Sequence, residues 1–221
     1  MTPWHISRYW RPWSGLTMLV ALMMTPLRPA LESSMSLHML IQYPALMVAG
    51  SLLADITPAA LSRRLVAWNT LGISGLTAVA LILAVLMIPR LLDLALVDGR
   101  VEMAKAASLV LAGAVLLPSW RAAGQVIQGF FLGNLLPMTV VVGSLYQSAP
   151  LRLCNAYLLD DQRQLGQALI WIAVALASVW LTRLFWRHVR FSDTTTPASP
   201  KRPIFSERLA PENDPTGRRK D

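Results

Sequence analysis

Six stretches of this chain run without a single Asp, Glu, Lys or Arg: residues 12–27, 33–54, 65–89, 106–120, 122–151 and 164–182. A helix that crosses the hydrocarbon core of a bilayer needs about 17–25 such residues. The second, third and sixth stretches have that length. The fifth holds a helix and a loop, and the first reaches it by extending back through Trp10. The fourth reaches it by starting near Val101, which places Glu102 and Lys105 at (i, i+3), where they partly neutralise each other near the membrane surface. Only 14% of the chain is charged and 54% is hydrophobic, against about 25% and 45–50% in soluble domains. An ordinary water-soluble domain is excluded. The expected fold is all-α, a polytopic transmembrane helical bundle of about six spans over residues 1–190, with five spans as the alternative.

The remaining charges are sorted by position. Residues 191–221 hold 11 of the 32 charged side chains and five prolines. Such a segment buries too little apolar surface to offset its chain entropy, so a disordered tail is expected. With six spans and a cytoplasmic N-terminus, fourteen Lys and Arg fall on the inner side and six on the outer. That asymmetry is the one that orients membrane proteins, and it puts both termini in the cytoplasm. Trp10, Trp13, Trp68, Trp120 and Trp186 fall at the inner ends, where indoles form an interfacial belt. Arg28, Pro29 and Glu32 stand where a signal-peptide cleavage site would need small residues, so the first span reads as retained. The net charge of +8 is therefore an orientation signal. No basic stripe with interleaved aromatics points to nucleic acid.

Polar groups inside a span are costly and so mark candidate sites. His38 is the one histidine that falls within a span. On the same helical face, toward the outer end, lie Met35 and Gln42, with Met39 and Tyr43 adjacent. Pro44 follows and predicts a kink. Met87, Met103, Tyr157, Asp161 and Gln162 gather at the same membrane face. One imidazole among thioethers is soft-ligand chemistry suited to Cu(I), which makes His38, Met35, Met39, Met87 and Met103 the candidate metal set. Gln42, Tyr157, Asp161 and Gln162 are the candidates for orienting that site or touching a partner. The plainer reading stands beside it: methionines fill gaps between helices, and Asp160 and Asp161 cap the next helix. Gly129 and Gly133 form a GxxxG pair that allows close helix approach, and Pro137 predicts a bend. Cys154 is the sole cysteine and reads as a small core residue. No P-loop, HExxH, nucleophile elbow or dinucleotide fingerprint occurs, and no enzymatic activity is expected.

Two segments carry a resemblance. Ser34–Leu53, SMSLHMLIQYPALMVAGSLL, and Leu151–Trp171, LRLCNAYLLDDQRQLGQALIW, are similar to the CtaG family of cytochrome c oxidase assembly factors. His38 and Met39 match that family's His-Met start to an early span. Asp161, Gln162, Gly166 and Trp171 match the opening of its last conserved span. Pro137–Met138 and Leu86–Pro89 fall where the family has similar Pro-containing segments. Gln42, Met87, Glu102 and Ala106 stand where the family has further histidines. The resemblance implies a bacterial membrane protein that helps copper insertion into a haem–copper oxidase at the outer face. Its partners would be an oxidase subunit, a periplasmic copper chaperone and the lipid bilayer. A metal-free membrane scaffold is the alternative, and a small-molecule transporter is a third reading.

Overall fold

The computed structural model describes residues 4–24, 26–56, 58, 63, 67–154 and 156–194. Among these every regular element is helical. α1 is Trp4–Met23 and α2 is Leu27–Glu32. α3 runs Met35–Ile56, α4 is Ile73–Leu86 and α5 is Pro89–Val97. α6 is Gly99–Ala122, α7 is Gln125–Ser148 and α8 is Leu159–Thr194. The tail from residue 195 lies outside the described residues. The chain divides into two compact units, residues 1–179 and 180–221. The second contributes the C-terminal part of α8.

Among the described residues four helices are long and apolar enough to cross a membrane: α3, α6, α7 and the Leu159–Trp186 portion of α8. A fifth span arises if α4 and α5, bent by 75° at their junction, count as one. Pro89 opens α5 and Ile88 before it is extended, as expected of a residue preceding proline. α6 begins at Gly99, close to the start near Val101 that the fourth apolar stretch requires. Asp98 caps it by accepting a hydrogen bond from the Arg100 amide.

Pro44 does not end its helix. The turn before it, His38–Gln42, is π-helical. A proline ring clashes with the carbonyl four residues earlier and supplies no N–H. Widening that turn relieves both problems while the helix continues to Ile56. The same turn bears His38, Met39 and Gln42, all buried.

α6 is the centre of the first unit, packed against α3, α4 and α5, and α1 packs on α3. Leu46, Leu109 and Leu165 are wholly buried in its main apolar cluster. In lipid, burial away from water does not drive helices together, so close van der Waals fit must. Glycines supply it. A Cβ on Gly50 of α3 would strike the Val110 backbone, and one on Gly113 of α6 would strike the Met47 backbone. Gly143 of α7 and Gly166 of α8 face each other in the same way.

Gly72 precedes α4 with φ +73, and a Cβ there would meet the Ser119 carbonyl. Both effects forbid a side chain. The Gly72→Ala protein is expected to lose about 1–3 kcal/mol, read as a lowered midpoint in a detergent unfolding titration.

Candidate functional site

The buried polar groups of α3 and α6 meet. Lys105 Nζ lies 2.8 Å from His38 Nε2, 3.5 Å from Gln42 Oε1 and 2.6 Å from Glu102 Oε2. His38 and Gln42 are fully buried and Glu102 and Lys105 nearly so. The other imidazole nitrogen, Nδ1, is 2.9 Å from the Tyr157 hydroxyl. That hydroxyl donates to the Glu32 carbonyl at 3.0 Å. Arg28 pairs with Glu32 at 2.9 Å and approaches Glu102 at 4.0 Å. Arg28 is 32% exposed and links the cluster to the surface. The rings of Tyr43 and Tyr157 stand edge-on to His38, and Lys105 Nζ lies 5.8 Å from the Tyr43 ring centre.

Donor counting assigns the protons. The single proton of the Tyr157 hydroxyl goes to Glu32, so toward His38 the oxygen accepts and Nδ1 carries hydrogen. Neutral Nε2 is then a bare acceptor for Lys105. The ammonium donates to His38 and Gln42 and faces Glu102 as an ion pair. With His38 neutral, the two acids and two bases balance. Two costs remain in this low-dielectric interior. Gln42 Nε2 has no hydrogen-bond partner among the described residues. Glu102 is ion-paired without an aligned hydrogen bond to either oxygen. Groups so expensive inside a membrane helix point to a function.

Burial, with Glu32 nearby, holds the Tyr157 hydroxyl above its ordinary value, so it remains a donor at physiological pH. Tyr157→Phe would leave the Nδ1 hydrogen and the Glu32 carbonyl unpaired. A loss of about 1–3 kcal/mol in unfolding free energy is expected, while Phe at the exposed Leu158 is expected to change nothing.

The structure thus brings together His38, Gln42 and Tyr157 of the expected residues. It adds Glu102, Lys105, Arg28 and Glu32 as the polar partners that complete the cluster. Met35 and Met39 are buried beside His38 on the same helix. Met87 is partly buried against the main cluster, and its carbonyl accepts from Tyr146 at 3.1 Å. Met103 lies on the outward side of α6 and is 66% exposed. Gln162 is buried as a tie: its Oε1 accepts from the Leu153 amide at 2.8 Å and its Nε2 donates to the Tyr146 carbonyl at 3.1 Å. Asp160 and Asp161 occupy the first turn of α8, where a carboxylate favours the helix dipole. Among the described residues no group of three or more His, Cys, Asp and Glu is arranged to hold a metal ion.

Whether copper fits is decided at His38. The lone pair on Nε2 already accepts from the Lys105 ammonium at 2.8 Å, which a metal ion there would have to displace. In this arrangement the residues do not fit Cu(I).

Cys154 is buried with Sγ 3.6 Å from the Pro89 carbonyl. Burial, and Asp93 after it, push its thiol up to about 12. The thiolate is the reactive form, so maleimide is expected to label the folded protein negligibly at pH 7 and fully after denaturation, as read by mass spectrometry.

Comparison of the chain with protein-family models, curated proteins and solved structures finds no match.

Proposed function

We propose that this chain is a polytopic assembly factor for a haem–copper oxidase and that it acts as a metal-free scaffold. The observation that carries the reading is the His38–Tyr157 contact at 2.9 Å. It joins the two segments that bear the family resemblance, with His38 in the first and Tyr157 in the second. Lys105 occupies the imidazole lone pair that copper would need, which favours scaffolding over metal carriage. The finer topology belongs to the same proposal: about six spans in a bacterial inner membrane, both termini cytoplasmic, and the Arg28–Glu32 end of the cluster facing the periplasm and an oxidase subunit.

Copper delivery is the second reading. The burial of two thioethers, Met35 and Met39, beside His38 favours it, and it requires Lys105 to swing away. One pair of measurements separates the readings. A deletion strain is assayed for oxidase activity with and without added copper, and purified protein is titrated with Cu(I) against a chelating dye. Scaffolding predicts oxidase loss that copper does not restore and much less than one equivalent bound. Restoration by copper, with one equivalent bound and lost in His38→Ala, would establish delivery. Unchanged oxidase in the deletion strain would remove both.

A further inference from the structure

One face of α7 is bare. Val126, Phe130, Gly133, Asn134, Pro137 and Val141 are all exposed, and their spacing puts them on a single helical face. The face carries no charge. At its centre stands Asn134, ten residues into a 24-residue helix. At about 1.5 Å per residue it lies near 15 Å from the helix start, the middle of a roughly 30 Å hydrocarbon core. A short amide at that depth cannot reach the headgroups. Its Nδ2 donates to the Phe130 carbonyl at 2.7 Å, which leaves one amide hydrogen and the Oδ1 lone pairs directed to the exterior. Polar side chains in spans turn to a protein partner rather than to lipid. Beside it, a Cβ on Gly133 would meet nothing within 4 Å, so a second backbone has room to come close.

We propose that this face joins two copies of the chain, with the Asn134 side chains hydrogen-bonded to each other across a two-fold axis along the membrane normal. Two features select a second copy. Both copies insert with the same orientation, so a residue on an α7–α7 contact meets itself at its own depth. A primary amide is also self-complementary, each giving one hydrogen and accepting one. An uncharged face offers no such match to an acidic or basic partner helix.

The test uses the full chain in phosphatidylcholine–phosphatidylglycerol vesicles. Phe130→Cys is expected to form disulfide-linked dimers on mild oxidation. Trp171→Cys, on an exposed face of α8, is expected to give none. Cys154 is buried and stays silent. Adding Asn134→Leu to Phe130→Cys is expected to raise the dimer dissociation constant about three- to thirtyfold, read as the protein-to-lipid ratio at half dimer. Its circular dichroism should be unchanged, because the side chain is exposed and its hydrogen bond is to its own helix. Equal cross-linking at both positions, or a ratio indifferent to Asn134→Leu, would overturn the pairing. Monomers at every ratio would overturn it too and would assign the face to another protein's helix.

Discussion

Lys105→Met is expected to destabilise the fold by about 3–5 kcal/mol, because it leaves one member of a buried ion pair without its partner. Methionine keeps the length and apolar stem of lysine, so packing changes little. What is lost is the ammonium that faces Glu102 at 2.6 Å and His38 at 2.8 Å. Glu102 is then a carboxylate at 2% exposure whose nearest cation is Arg28 at 4.0 Å, itself engaged with Glu32. Glu102→Gln should cost a similar amount, since Lys105 then keeps a buried charge without its ion-pair partner. The double variant removes both charges and leaves the Arg28–Glu32 pair intact. It is expected to be more stable than the sum of the singles predicts, by about 2 kcal/mol or more. Equilibrium unfolding in mixed micelles, followed by helical circular dichroism, reads all three. Strict additivity would mean that the two groups do not act as a buried pair. A recovered fold without oxidase assembly would separate the network's role in stability from the assembly role proposed for it.

The same network shows what a sequence can and cannot disclose. Glu102 and Lys105 are close along one helix, so their (i, i+3) pairing was legible, as was the need for α6 to start near Val101. Their depth was not. Beside an apolar stretch the two charges read as a pair near the membrane surface, and spacing alone did not show that they are sealed from solvent within the protein. His38 was legible as the odd polar group of its span. Its partners were not, because Lys105 lies 67 residues away and Tyr157 119 residues away. Met103 illustrates the converse. It sits between Glu102 and Lys105 in the chain, yet a helix turns about 100° per residue and carries it to the outer side. Gln162, expected near a site, proved to be a clamp on the preceding loop. Loop clamps depend on backbone groups that sequence spacing does not reveal. The glycines divide likewise. The GxxxG spacing of Gly129 and Gly133 is visible within one helix. The packing of Gly50 on Val110 and of Gly113 on Met47 joins two helices and has no local pattern.

That hidden pair carries the second large effect. Gly113→Val is expected to cost more than about 4 kcal/mol, the exceptional range for one substitution. The new Cβ would meet the backbone of Met47, and backbone in a helix cannot move aside as a side-chain tip does. The helices must separate along their whole contact, so the reciprocal approach of Gly50 to Val110 is lost with it. Gly99→Ala supplies the control. It lies at the start of the same helix, where a Cβ meets nothing within 4 Å, and alanine favours helix over glycine by up to about 1 kcal/mol. The two substitutions should therefore move the unfolding midpoint in opposite directions. The consequence extends to the polar cluster. His38 and Gln42 are on α3, Glu102 and Lys105 on α6, and the glycine seam sets how far apart those helices stand. Widening the seam stretches the 2.8 Å contact between Lys105 and His38 and admits water to charges that are now dry. Gly113→Ala, the milder change, should accordingly speed hydrogen exchange at the His38 and Lys105 amides well before it unfolds the protein. Protection unchanged at both amides, with α3 and α6 still packed, would mean that the cluster is held by its own ion pairs and not by the seam.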